Sequence, residues 1–499
     1  MASPNVGRAK MNLTASDIYA YYQPAECALR IYLRYRGKPE AEPGPYEQIL
    51  LRLGERHEKA HLASLGEVED LSSVDFDVAV HKTRDLIREG ASVIYQPAFR
   101  VETTLGAIRR SIGGVPDFLI RRGNSYLIRD CKISRRVNEV DHPEIIHQLI
   151  LYEWLYEQTT GEKIAGLEVV SGTGEIVAIP YDGGVGALDI LFRISEIQQQ
   201  QEEPYGPVGW SRCQPCGFFE RCWGKAEDSQ DLALVPEVDK GLVTVLHRSG
   251  IRTIRQLAEL DGVYLSEIKR PWGDREQRVG RKAEFIVRQA LALAENRDLV
   301  IGRLDLPPAR NFAIFDIEGL PPQLDEMDKI YLWGLQVYGE QPGDYMSAVS
   351  GFGHDGDRQG WFEFLDNCKE VFAAYGDLPL VHWSGYERGK VKTYIERYGD
   401  PEGIAERVMQ NLLDLLKVTK EAIILPDYSY SLKRVEKQAG YRRTLPEGRG
   451  EWAMAKYIEA TETENPHERQ EIMDEILKYN REDLEATWAV LQWLREKCG

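Results

Sequence analysis

Apolar and polar positions along this chain follow two rhythms. Between residues 14 and 62, apolar side chains recur at helical spacing through Ile18, Tyr22 and Leu29, and Thr14 or Ser16 is available as a cap, so helix is expected. From about Val93 to Ile133 the rhythm shortens to strands. VIYQPAFRVE, GGVPDFLIRR and SYLIRDCKI are apolar runs, and Gly123-Asn124 between the last two is a hairpin turn signal. Helical spacing returns from Pro143 to Thr159. GLEVVSGTGEIVAIPY then reads as a hairpin, and a further helix leads to a cysteine-rich knuckle at residues 213 to 222. The first unit closes near residue 228.

Residues 229 to 303 are rich in Leu, Ile and Ala. Ser249-Gly250 separates two apolar-periodic segments in GLVTVLHRSGIRTIRQLAEL, which resembles a helix-hairpin-helix element, whose hairpin amides bind phosphates; an all-helical spacer is the alternative. Leu304-Asp-Leu-Pro-Pro reads as a linker. From Asn311 a new unit begins, with NFAIFDIEG and KIYLWGLQVYG as paired strands, PLVHW as a third, and mostly helix to Gly499. The expected organisation is therefore α/β and multidomain: 1–228, 229–303 and 304–499, with no internal repeat.

Composition narrows the class. A chain of 499 residues is too long for one ordinary core, and 43% hydrophobic with 28% charged residues is a globular balance. The opening MASPNVGRAKMNLTAS has no apolar run like a secretory signal, and no stretch approaches a membrane span. Seven cysteines without such a signal point to a reducing compartment, the cytoplasm, where clustered thiols serve as metal ligands. A net charge of −18 argues against a surface that coats nucleic acid everywhere. Between Arg100 and Arg136, however, nine basic residues stand against three acidic ones, enough for one basic face or for an ordinary solvated surface.

Three groups of residues carry chemistry. In SYLIRDCKI, Asp130 and Lys132 lie two apart on a strand and share a face, while Cys131 points the other way. The hairpin at Gly123-Asn124 brings Asp117 opposite them. Two converging carboxylates suit a hard divalent cation, and Lys132 can orient a bound water or offset transition-state charge. Gln148 and Tyr152, four apart, share one face of the next helix, and His57 lies on the early helix. The order His, Gly-x-Pro-Asp, Asp-x-Lys, Gln-x-x-x-Tyr resembles the RecB-like branch of the PD-(D/E)XK nucleases, including the CRISPR-associated and AddB-type members, over roughly residues 14 to 225. That resemblance implies a restriction-endonuclease-like fold in which His57, Asp117 and Asp130 bind the metal, Lys132 assists the water, and Gln148 with Tyr152 positions the DNA strand.

Cys213, Cys216 and Cys222 form C-x2-C-x5-C, and Cys27 lies far upstream. Spacing alone leaves zinc and an iron–sulfur cluster both open. A lone N-terminal cysteine joined to a C-terminal triplet resembles the staple of AddB-type nucleases, which implies a structural [4Fe-4S] cluster shielded by Trp210, Phe218, Phe219 and Trp223. Cys131, Cys368 and Cys498 read as ordinary thiols.

In the third group, Asp316 and Glu318 share a face at the end of an apolar strand, and Tyr479 and Asp483 share a face of a late helix. Asp-x-Glu with Tyr-x-x-x-Asp resembles the DEDD exonucleases of the RNase H-like fold, which implies carboxylates holding two divalent ions and a tyrosine orienting the water. The middle motif departs from that pattern. His382-Trp-Ser-Gly-Tyr386-Glu387 stands where Asn-x-x-Phe-Asp is usual, so Glu387 or Asp414 would supply the missing ligand.

Nearly the whole chain resembles a family of RecB-like nucleases fused through helical hairpins to an RNase H-like exonuclease domain. This implies phosphodiester hydrolysis with Mg²⁺ or Mn²⁺ at two separate sites, on DNA rather than RNA. No Walker A loop is present, so a helicase would be a separate partner. Two rival readings remain: a nucleic-acid-binding or scaffold protein with a degenerate site, and an RNA exonuclease active only in its C-terminal domain.

Overall fold

The computed structural model describes residues 12–273, 275–320, 329–351, 356–445 and 450–499. Residues 1–11, most of the segment read above for a secretory signal, lie outside that set. The chain divides into two compact units, Met1–Lys225 and Ala226–Gly499. Among the described residues no helix is long and apolar enough to cross a membrane.

The first unit opens with strand β1 (Asn12–Thr14). Helix α1 (Ala15–Tyr22) then starts at Thr14, whose backbone N–H and hydroxyl donate to Asp17 at 2.7 and 3.0 Å. The helix expected across residues 14 to 62 is broken twice, giving α2 (Ala28–Tyr35) and α3 (Pro45–Ser64). Pro24 cannot continue α1, and Gly37 at a φ of 67°, with Pro39 and Pro43 behind it, ends α2. There follow β2 (Glu69–Asp70), α4 (Phe76–Glu89), β3 (Val93–Tyr95), β4 (Phe99–Leu105), β5 (Ile108–Gly114), β6 (Phe118–Arg122), β7 (Ser125–Cys131), α5 (Pro143–Thr160), β8 (Gly166–Val170), β9 (Ile176–Ala178), α6 (Val185–Gln199), α7 (Trp210–Cys213) and α8 (Phe219–Ser229).

One mixed sheet runs β2-β3-β6-β7-β8-β9, and β1-β5-β4 form a smaller one. GGVPDFLIRR is two strands, not one. Gly114 ends β5 and Phe118 starts β6 in the other sheet, with Pro116, which has no N–H for a ladder, between them. The β6–β7 hairpin pairs Arg122 with Ser125, with Gly123 at a φ of 65° in the turn. Strands β7 and β8 are parallel, and α5 is the crossover between them. Consecutive residues of α5 from Leu149 to Tyr156 are all buried, because the helix is packed from several sides.

The second unit contains α9 (Lys240–Arg248), α10 (Ile254–Ala258), α11 (Gly262–Glu267), β10 (Lys269–Trp272), β11 (Arg275–Arg278), α12 (Ala283–Glu295), β12 (Leu299–Val300), β13 (Asn311–Gly319), β14 (Ile330–Gly339), β15 (Met346–Val349), α13 (Gly356–Tyr375), β16 (Leu380–His382), α14 (Gly385–Tyr398), α15 (Ile404–Asn411), β17 (Leu412–Asp414), α16 (Leu415–Ala422), β18 (Ile423–Ile424), α17 (Leu432–Gln438), α18 (Gly450–Glu462) and α19 (Pro466–Cys498). Residues 229–303 are mainly helical, apart from the β10–β11 hairpin and the two-residue β12.

The main sheet of this unit runs β15-β14-β13-β16-β17, with β13, β14 and β15 antiparallel and β16 and β17 parallel to β13. The two faces of β13 differ. Ala313, Phe315 and Ile317 enter a core with Trp333, Trp361 and Phe364, while Phe312 and Ile314 pack in a second core with Leu484, Val490 and Leu491 of α19. Each such buried side chain contributes about 1.5–3 kcal/mol, so α19 is held firmly along the even-numbered face.

Candidate functional site

Asp316 and Glu318 continue that even-numbered face past its apolar part. The packing of α19 over Phe312 and Ile314 therefore carries the helix's own acidic turn across the strand end. Carboxylate oxygens of Asp316, Glu318 and Asp483 lie within 4.8 Å of one another. Among the described residues this is the one group of three His, Cys, Asp or Glu ligand atoms that close.

Gathering these acids has an electrostatic cost. Burial, then the charges of Asp483, Glu318 and Glu387, push the Asp316 carboxyl well above its usual range, while Arg443 pulls it back. Glu318 is raised likewise, by burial and Asp483, against Lys433 and Arg443. A cation placed among these acids would offset that cost. Arg443 grips Glu436 with two hydrogen bonds, of 2.8 and 2.6 Å, and also donates to Asp483. Lys433 Nζ donates to the Tyr479 hydroxyl at 3.1 Å, and burial lowers its pKa to about 8. Tyr479 is itself buried, one turn before Asp483.

Glu387, in the first turn of α14, is buried, and its Oε2 is 3.3 Å from Nδ1 of His382. Its charge bears on Asp316 and Glu318, but its oxygens fall outside the closed trio. Asp414 instead caps α16, accepting from the Lys417 N–H at 3.0 Å. Arg443, Lys433, Glu436 and Asn480 were not singled out in the sequence. Apart from Asn480 beside Tyr479, no spacing signal marks them, because they reach the acids from separate elements.

In the first unit the β6–β7 hairpin sets Asp117 opposite Asp130. The Asp117 N–H donates to Asp130 Oδ1 at 2.8 Å, the Cys131 N–H donates to Asp117 Oδ2 at 2.7 Å, and Lys132 Nζ lies 3.0 Å from Asp130 Oδ2. Burial and then Asp130 hold the Asp117 carboxyl well above its usual range. An unexpected third acid, Glu58, faces this pair. The Gln96 amide donates to Glu58 at 2.7 Å and to Asp117 at 3.4 Å, from a backbone held at a φ of 55°.

His57, beside Glu58 on α3, has its Nε2 3.2 Å from the Val170 carbonyl, and it does not close with Asp117 and Asp130 into a compact three-ligand set. Gln148 is buried and donates to the Ala15 carbonyl at 3.3 Å. Tyr152 is buried within reach of both aspartates' charge, and a Cβ at Gly114 would stand only 2.8 Å from its ring, so the strand must be bare there.

Cys27 at the start of α2, Cys213 ending α7, Cys216, and Cys222 within α8 all line one pocket. Leu29 and Phe218 form part of its apolar wall. Burial raises the Cys213 thiol to about 11 and the Cys222 thiol to about 12. The Val208 N–H donates to Cys213 Sγ at 3.3 Å. No three of the four sulfurs lie within 4.8 Å of one another. Beside them Trp210, Phe219 and Trp223 form a mutually packed aromatic group with ring centroids 5.0 to 5.6 Å apart.

No curated protein matches the chain. Among solved structures, the crystal structure of SSO0001 is 14% identical, with 45% of this chain and 89% of that chain covered; its TM-score of 0.24 carries no fold argument. A family model described as the RNase H superfamily matches residues 313–495, from the third residue of β13 almost to the end of α19, so the C-terminal unit carries an RNase H-like domain.

Proposed function

We propose that the chain is a divalent-metal-dependent nuclease that hydrolyses phosphodiester bonds of nucleic acid, DNA rather than RNA. The observation that carries this reading is the convergence of Asp316, Glu318 and Asp483 in a domain matched to the RNase H superfamily. The donor set fits a hard cation, since three mutually repelling carboxylates, two buried and one half-buried, offer only oxygen. Mg²⁺ or Mn²⁺ bound there would polarise a phosphoryl oxygen and lower the pKa of a water. Glu387, whose charge bears on Asp316 and Glu318, would be the fourth acid. Tyr479, its hydroxyl held by Lys433, orients the attacking water, and Arg443 fixes Asp483.

A second, RecB-like centre in residues 1–228 uses Asp117, Asp130 and His57 as ligands, with Lys132 assisting the water. Gln148 and Tyr152 shape the wall that positions the strand. For the four cysteines we favour a [4Fe-4S] cluster that ties α2 to α7 and α8. Tetrahedral zinc at about 2.3 Å would hold its sulfurs about 3.8 Å apart, closer than this cavity brings any three. Residues 229–303 join that domain to residues 304–499. A helicase would be a separate partner, and seven cysteines without a disulfide fit a cytoplasmic setting.

The test is cleavage of end-labelled single- and double-stranded DNA by anaerobically purified protein, with Mn²⁺ or with EDTA, for the parent, Asp316→Asn and Lys132→Ala. Metal-dependent cleavage lost in Asp316→Asn is expected; no cleavage by a fully folded parent would leave a nucleic-acid-binding protein, a reading favoured only by the tie of Glu387 to His382.

A further inference from the structure

The β10–β11 hairpin was not expected from the sequence, and it belongs to neither carboxylate site. It is a two-stranded sheet of its own, with Lys269 opposite Arg278 and Trp272 opposite Arg275. Like charges set directly opposite across two strands are unfavourable, and an isolated hairpin is marginal by itself. Something other than the stability of the hairpin accounts for four cations among its eight strand residues in a chain of net charge −18.

Trp272 is 56% exposed, unusual for a tryptophan without a partner surface. Its orientation is set from below. Arg270 is buried, forms an ion pair with Asp239, and stands 4.7 Å from the centre of the Trp272 ring. One indole face is thus backed by a pinned guanidinium, and the ring projects to solvent beside Arg275. Lys269 and Arg275 have no ion-pair partner among the described residues, and Arg278 has only an exposed one, Glu267 at 2.8 Å.

The hairpin is anchored within the C-terminal unit. At Gly241 of α9 a Cβ would lie 2.5 Å from the Pro271 carbonyl, so helix and hairpin are in close contact. Gln289 of α12 donates to the Leu425 carbonyl at 2.6 Å and meets the Tyr430 hydroxyl at 2.8 Å, which docks this helical region on the segment leading into α17, the helix that bears Lys433 and Glu436.

We infer that this hairpin is a binding site for single-stranded nucleic acid, with an unstacked base on the free face of Trp272 and an adjoining backbone phosphate on Arg275, its cross-strand neighbour on the same face of the ribbon. An exposed indole with a cation beside it recognises the π-face of a base and the adjoining phosphate; a duplex would offer it phosphates alone. The inference deepens the nuclease reading and rests on it for its purpose, but binding can be measured without cleavage.

The experiment is fluorescence anisotropy of labelled single-stranded dT and U oligonucleotides and of a DNA duplex, on the full chain in EDTA. Parent, Trp272→Ala and Arg275→Gln are compared, with circular dichroism confirming the fold. Trp272→Ala is expected to weaken single-strand binding about tenfold and to leave duplex binding unchanged. Arg275→Gln should lower the slope of log Kd against log salt on single strands by about 0.7. Comparison of dT with U tells which strand chemistry is preferred. Equal affinity of parent and Trp272→Ala, equal loss on single strand and duplex, or no oligonucleotide binding by the parent would each overturn the assignment. Binding that depends on Trp272 in a protein without cleavage would keep the hairpin site while the nuclease reading fell.

Discussion

The side-chain amide of Asn480 donates to Oδ2 of Asp316 at 2.9 Å, joining the last helix to the central strand next to Asp483. Its carbonyl oxygen accepts from the Tyr345 hydroxyl at 2.9 Å, and Gly334 must be bare because a Cβ there would collide with it. Asn480→Ala leaves a half-buried hydroxyl and a carboxyl without their partners, and should cost about 1–3 kcal/mol in urea unfolding. Asn480→Asp adds a further acid to the cluster and should lower stability in EDTA more than the alanine does; the reverse order would mean that the cluster is not electrostatically strained.

Asp316 and Glu318 have folded pKa values raised above their unfolded ones. Over the interval between the two values the native state binds more protons, so metal-free stability should rise as pH falls through the raised folded values, reaching its full extent below the unfolded carboxylate range. Asp316→Asn removes one of the repelling charges and should raise the melting temperature in EDTA at neutral pH. Mn²⁺ should stabilise the parent and not the variant. Equal Mn²⁺ shifts in the two proteins would place the ion elsewhere.

Lys132 is the cation beside Asp130, with Glu58 and Asp117 close by. Lys132→Ala leaves these acids less compensated and should destabilise the protein by about 1–3 kcal/mol. Glu58→Gln added to it should restore part of the loss, which a double-mutant cycle by chemical denaturation reads directly. Strict additivity would show that Glu58 and the Asp117–Asp130 pair are uncoupled.

The cysteine cavity makes a prediction about composition. Anaerobically purified protein should contain about four iron and four sulfide per chain with visible absorbance, and Cys27→Ser or Cys222→Ser should lose the absorbance and melt earlier. Zinc in place of iron, at one equivalent, would rule out the cluster.

Several features were legible in the sequence because they are local. Period two on a strand places Asp316 with Glu318 and Asp130 with Lys132, period 3.6 places Tyr479 with Asp483, and Gly123-Asn124 announces the hairpin that sets Asp117 against Asp130. The start of the first helix was legible as well, from the cap at Thr14. The strands β15 and β17, four and three residues long, were too short to leave a pattern, and the β10–β11 hairpin, with a single apolar strand residue, Trp272, besides Pro271, has no alternation to read.

Which residues meet was decided by the tertiary structure. Asp483 reaches Asp316 because α19 packs on Phe312 and Ile314, and on α3 Glu58 meets Asp117 through the Gln96 amide while its neighbour His57 meets the Val170 carbonyl. Arg443 comes to Asp483 from a different stretch of chain. Local periodicity determines the direction a side chain takes from its own element. The convergence of elements more than a hundred residues apart is set by how apolar faces pack, and no short window of sequence contains that information.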